Sequence, residues 1–171
     1  MGKYALFADA FCYPSPGRKE QILTGLQAET DRKVSDAITE FIDQIEEMTI
    51  GEWEELHTRT LDLSPLVAPY VGYQIWGESY QRGNFMALIN RRLRDYQIDL
   101  DGELPDHLVP ILRLMDRGTD QPEELKENLE PAIKKMTSEL RKRERDNPYL
   151  ILIDALHRMV SGDQTSSERL Q

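Results

Sequence analysis

Val34-Ser35-Asp36-Ala37-Ile38-Thr39-Glu40-Phe41-Ile42-Asp43-Gln44-Ile45-Glu46-Glu47-Met48 decides the fold class of this chain. Val34, Ile38, Phe41, Ile42, Ile45 and Met48 recur at the spacing of one helix face, and Asp36, Glu40, Asp43 and Glu47 stand between them. The stretch runs into Thr49-Ile50-Gly51-Glu52, a capping box that opens a helix through Trp53, Leu56 and Thr60. Pro65 and Pro69 break the pattern ahead of an apolar, aromatic run, Tyr70-Val71-Gly72-Tyr73-Gln74-Ile75-Trp76-Gly77. The spacing then predicts a helix over Ser79–Tyr96, with Phe85, Leu88, Ile89, Leu93 and Tyr96 inward. Asp120 and Pro122 start another, carrying Leu125, Leu129, Ala132, Met136 and Leu140. Asn147-Pro148 opens the last, with Leu152, Leu156, Met159 and Val160 inward and Gly162 as its stop. No segment alternates at strand period and no solenoid repeat is present. The expectation is a single all-α domain of packed helices over 1–162, followed by a polar, flexible tail over 163–171.

Composition narrows the function. The chain has 171 residues, 39% hydrophobic and 30% charged, which fits one soluble helical domain with a well-solvated exterior. Its formal net charge of −10 disfavours nucleic acid and anionic lipid and favours a basic peptide as partner. Basic residues cluster at Arg91, Arg92 and Arg94 and again from Lys134 to Arg145, on polar helices, and read as solvated faces. Cys12 is the only cysteine, so neither an intramolecular disulfide nor a cysteine metal site is expected; among Leu6, Phe7, Ala8 and Phe11 it reads as a buried, inert thiol. The start, Met1-Gly2-Lys3-Tyr4, leads into a segment broken by Asp9 and Pro14, unlike a signal peptide. No apolar run approaches the ~20 residues of a membrane span, and a cytoplasmic location is expected.

Three features carry chemistry. Gly102-Glu103-Leu104-Pro105-Asp106-His107-Leu108 combines a glycine suited to positive φ, a proline suited to a helix's first turn, and acids where a helix N-terminus favours them. It reads as a helix start, with Asp106 and His107 either capping it, binding a partner or forming an acid–base pair. Gly77-Glu78-Ser79-Tyr80-Gln81-Arg82-Gly83 places an acid and an arginine between two glycines that permit close backbone approach. Glu78 and Arg82 form an i,i+4 surface pair or, with Tyr73 and Trp76 as flat anchors, a groove edge. Met86, Met115, Met136 and Met159 fall on inward faces and read as core filling. No HExxH, GxSxG, GxxxxGK[ST] or cysteine pair is present, so neither metal, cofactor nor catalytic residues are assigned.

These two motifs, in this order and separated by a helix, resemble the NarJ branch of the NarJ/TorD/DmsD chaperones. That family shows an aromatic stretch ending in Gly-(Asp/Glu)-Ser-x-x-Arg-Gly and then a Glu-Leu-Pro-Asp-His-Leu block. Leu6-Phe7 through Tyr13-Pro14 is similar to the family's opening helix closed by Tyr-Pro. The resemblance covers Leu6 to Met115 and beyond Gly118 rests on length and helicity alone. Val109 departs from it, standing where the family often has proline; Pro110 follows one residue later and would bend a helix or mark its first turn.

The resemblance implies a TorD/NarJ-like helical bundle and a redox-enzyme maturation protein rather than an enzyme. Such a chaperone binds the N-terminal segment, often a twin-arginine signal or its remnant, of a molybdopterin-containing catalytic subunit of the nitrate reductase or dimethyl sulfoxide reductase class. It holds that apo-subunit until molybdenum cofactor is inserted, before membrane attachment or export. It leaves open contact with molybdenum cofactor biosynthesis proteins, and a monomer or a homodimer. The client-binding residues it implies are Tyr70, Trp76, Gly77, Glu78, Arg82, Glu103, Pro105, Asp106 and His107, to which the aromatic run adds Tyr73. In that reading Asp106 and Glu78 pair with client arginine or lysine, and His107 titrates near neutral pH. Two other classes stand beside it: a small helical hydrolase or nucleotide-using enzyme with an Asp106/His107 acid–base pair, and a scaffold subunit whose dimer interface uses the aromatic run.

Overall fold

The computed structural model describes residues 2–168, and among them the regular structure is helical. The elements are α1 (Lys3–Phe11), α2 (Arg18–Leu26), α3 (Arg32–Ile45), α4 (Ile50–His57), α5 (Val71–Trp76), α6 (Tyr80–Asp95), α7 (Leu108–Arg117), α8 (Glu123–Arg143) and α9 (Pro148–Glu168). α4 runs directly into a π-helical turn over Thr58–Asp62. The all-α, single-domain reading holds.

Local chemistry sets most boundaries where the sequence placed them. Asp31 accepts from the backbone of Lys33 and Val34 and starts α3. Thr49 and Glu52 complete both halves of the capping box on α4. Ser79 caps α6, and the Asn147 side chain accepts from the Tyr149 N–H at the start of α9.

Three boundaries differ. α2 was not foreseen, because Arg18-Lys19-Glu20-Gln21 shows no apolar face until Ile22. α7 begins at Leu108 rather than at Pro105. His107 is its N-cap, its Nδ1 accepting from the Val109 N–H at 3.2 Å, and Pro110 occupies the first turn, where a missing N–H costs nothing. α9 does not stop at Gly162 but continues to Glu168. A mid-helix glycine costs about 1 kcal/mol, and here Asp163 compensates by accepting from Lys3 Nζ and Tyr4 Oη at 2.8 and 2.7 Å. Residues 169–171 of the expected tail lie outside the described residues.

The packing follows from the stripes. α9 lies between α3 and α8, α1 packs on α7 and α2, and α5 sits against α6 and α8. Lys135 on α8 holds α5 in place by donating to the Gln74 carbonyl at 3.0 Å. At the centre, Phe41 and Trp53 surround Tyr149, whose hydroxyl accepts from Trp53 Nε1 at 3.1 Å. Phe11 stacks on the same ring, and His57 meets it edge-on with centroids 5.6 Å apart. His57 thus forms the seam between the aromatic core and the surface described next. Met136 is buried in the core, whereas Met115 and Met159 pack at its edge. Cys12 is half-buried beside Arg113, and burial raises its thiol pKa.

Candidate functional site

The two motif segments meet. Residues 69–71 run antiparallel to residues 106–108: the Val71 N–H donates to the Asp106 carbonyl at 2.8 Å and the Leu108 N–H to the Pro69 carbonyl at 2.7 Å. Over this bridge the Tyr70 ring meets the His107 ring edge-on, centroids 5.0 Å apart.

Arg82, from the first turn of α6, is the clasp. Its Nε donates to Asp106 Oδ2 at 2.8 Å and its Nη2 to Asp106 Oδ1 at 3.3 Å, a bidentate pair. Nη1 donates to Glu78 Oε1 at 2.7 Å. The guanidinium carbon stands 5.5 Å from the Tyr70 ring centroid and 5.4 Å from that of Tyr73, within cation–π range. The Asp106 side chain is 0% exposed and that of Arg82 7%. Burial alone would lower the Arg82 pKa; the hydrogen bonds and charges of Asp106 and Glu78 raise it instead.

Close approach at this clasp requires a glycine, but not the ones singled out. A Cβ at Gly72 would lie 2.9 Å from Asp106 Oδ2, 3.0 Å from the Phe85 ring and 3.1 Å from Arg82 Cγ. Gly83 faces open space, and Gly77 is needed instead for its positive φ of 62° at the end of α5.

The expected roles therefore divide. Asp106 and Arg82 satisfy each other inside the protein, so Asp106 is not a carboxylate offered to a client. Glu78 keeps an outer face, its side chain 79% exposed. Asp106 and His107 point to different partners: the carboxylate faces Arg82, and the imidazole caps α7. Burial, and then the nearby His57, push the His107 pKa down to about 4, so the ring is neutral at physiological pH rather than titrating near it. Trp76 packs half-buried on Phe85 with centroids 5.2 Å apart, and Pro105 is half-buried in the turn before the cap.

Glu103 sits above the clasp. It accepts from Tyr70 Oη at 3.0 Å and lies 3.9 Å from His107 Nε2. Burial, followed by the Glu103 charge and hydrogen bond, pushes the Tyr70 phenol up to about 12.

Sequence reasoning did not gather Tyr13, His57 and Asp62 into this site. The Tyr13 ring meets His57 edge-on at 5.1 Å, and His57 Nδ1 stands 3.6 Å from Asp62 Oδ2 at the end of the π-helical turn. His57 Nε2 reaches the Phe11 carbonyl at 3.3 Å. Burial lowers the His57 pKa more than the Phe11 carbonyl and Asp62 raise it. The π turn adds a residue to the helix and redirects Asp62 toward the site; π turns recur at functional sites, but no periodicity in Thr58–Asp62 marks one.

The surface left facing solvent has a definite chemistry. Asp62, Glu103 and Glu78 supply negative charge, and Leu63, Leu66, Leu104 and Tyr13 are exposed large hydrophobic side chains around the same segments. Among the described residues no grouping of three or more His, Cys, Asp or Glu could hold a metal, and no helix is long and apolar enough to cross a membrane. Compared with known proteins, the chain matches no family model and no curated sequence.

Proposed function

We propose that this protein is a binding protein without a catalytic step of its own. It is an assembly chaperone that takes the N-terminal segment of a molybdopterin-containing catalytic subunit and holds the apo-subunit in the cytoplasm until its cofactor is in place. The observation that carries the reading is the joining of the two motifs by the Arg82–Asp106 clasp, with exposed leucines and carboxylates on the segments it joins and beside them. A basic, apolar peptide suits that surface: arginine or lysine at Glu78, Glu103 and Asp62, apolar side chains against Leu63, Leu66 and Leu104. The net charge of −10 steers such a peptide toward it. The choice of a molybdoenzyme as client rests on the resemblance of the two motifs to the NarJ/TorD/DmsD chaperones.

The acid–base alternative is less well supported. Asp106 is engaged by Arg82, and His107 Nδ1 is engaged at the helix cap, so neither is poised to move a proton to the other.

The test is affinity capture from native extract with mass spectrometry, comparing wild type with Asp62→Lys/Glu103→Lys. Both substitutions lie on the rim and leave the clasp intact. Recovery of a large molybdopterin-type subunit, weakened in the variant, is expected. Its absence while the redox enzyme is being expressed overturns the reading.

A further inference from the structure

On another face, the valley between α3 and α9 opens into a groove of about 820 Å³. Ala37 and Ala155 leave the hollow, and Val34, Ile151 and Met159 complete an apolar floor. The lining stretch of α9 runs from Leu150 to Asp163, close to 20 Å at ~1.5 Å per residue, or nearly four helical turns. One wall is α3, which presents Asp36 and Glu40, with Lys33 nearer its start. The opposite wall presents Arg141, Arg145 and Arg158 around the carboxylate of Asp154, which accepts from both Arg141 and Arg158, while Asp163 at the end of the lining stretch accepts from Lys3 and Tyr4. Glu40 and Arg145 are exposed, and neither makes an ion pair among the described residues. Opposite charges thus face each other across an apolar floor without meeting.

We propose that this groove is a second binding site, separate from the clasp surface, that takes an amphipathic helix of a partner protein with one acidic and one basic flank. The floor takes the apolar stripe, Arg145 and its neighbours take the acidic flank, and Asp36 and Glu40 take the basic flank. A partner helix with two acidic flanks meets repulsion at α3, so the pairing of walls sets specificity as well as affinity. The proposal does not rest on the chaperone reading.

The probe is a synthetic, fluorescently labelled helix of about 14 residues, four turns long. It carries leucine and alanine on one stripe, glutamates along one flank and lysines along the other. A second peptide has glutamates on both flanks. Wild type is expected to bind the first about tenfold more tightly by fluorescence anisotropy. Asp36→Lys/Glu40→Lys, which makes both walls basic on exposed positions, is expected to reverse that preference. Equal binding of both peptides, no binding, or an unchanged preference in the variant overturns the proposal. Sedimentation of the protein alone adds one further outcome: self-association abolished by the same variant assigns the groove to a second copy and also overturns it.

Discussion

Asp106→Ala removes one half of a buried ion pair and leaves the other half in place. The Asp106 side chain is 0% exposed and accepts two hydrogen bonds from Arg82, whose own side chain is 7% exposed. Deleting one partner of such a pair costs about 3–5 kcal/mol, because the remaining charge is buried without compensation. Glu78 still reaches Nη1, so the lower end of that range applies, about 3 kcal/mol. With a urea m-value near 2 kcal/mol/M, the unfolding midpoint falls by about 1.5 M, read by far-ultraviolet circular dichroism. Removing both charges in Arg82→Met/Asp106→Ala takes away the stranded cation. The double variant is then expected to lose about 2 kcal/mol less than the sum of the two single losses. Single losses that simply add, or a midpoint that moves by less than about 0.5 M in Asp106→Ala, would refute the clasp as the element joining the two motifs.

Other consequences are separable. Gly72→Ala drives a methyl to 2.9 Å from Asp106 Oδ2 and 3.0 Å from Phe85, and is expected to cost about 1–3 kcal/mol in thermal unfolding. Gly83→Ala, facing open space in α6, should raise stability by up to about 1 kcal/mol in the same assay; a loss there would contradict the packing. For His107 the folded pKa of about 4 lies below the ordinary 6.5. Above pH 6.5 both states are neutral and its contribution is complete. As pH falls from 6.5 toward 4 the unfolded chain takes the proton first, and stability drops by about 3 kcal/mol at 1.36 kcal/mol per pH unit. Denaturation curves across that window, flattened in His107→Gln, check this; an identical slope in the variant would count against it. Glu103→Gln removes the charge and weakens the hydrogen bond that help hold Tyr70 near 12, so its phenol should titrate closer to 10 by ultraviolet difference absorbance.

How much was legible depends on whether a feature is written in neighbouring residues. α3 was readable from its stripe alone, and α6 because its stripe and its start at Ser79 lie within one helix length of each other. The capping box at Thr49 is local in the same way. The start of α7 was displaced because Pro105 and Pro110 both suit a first turn. The choice between them is made by a side chain, His107 Nδ1, whose capping role ordinary preferences for Ser, Thr, Asp and Asn do not announce. α2 was missed because its buried residues, Ile22 and Gly25, are too few to form a stripe.

The site shows a sharper limit. Both motifs were visible as strings of residues, and the structure does bring them together. Yet a motif does not say which of its members face each other and which face outward. Asp106 and Glu78 look alike in sequence, each an acid within reach of an arginine or a proline turn. Folding gives them opposite environments: Asp106 is fully buried against Arg82, and Glu78 meets the same guanidinium from the solvent side. The residues most tightly fixed by the motif hold the surface in shape. The groups best placed to touch a partner, Glu103, Asp62 and the exposed leucines beside them, come partly from a π turn that no pattern marked. A substitution in the clasp is therefore expected to lower binding together with stability, whereas Asp62→Lys is expected to change binding while stability stays within about 0.5 kcal/mol. Glu103→Lys is expected to change binding at a stability cost of no more than the ~1 kcal/mol of its hydrogen bond from Tyr70. Measuring both quantities on the same variants separates the two roles: binding lost at Glu103 only in step with stability would return it to the clasp.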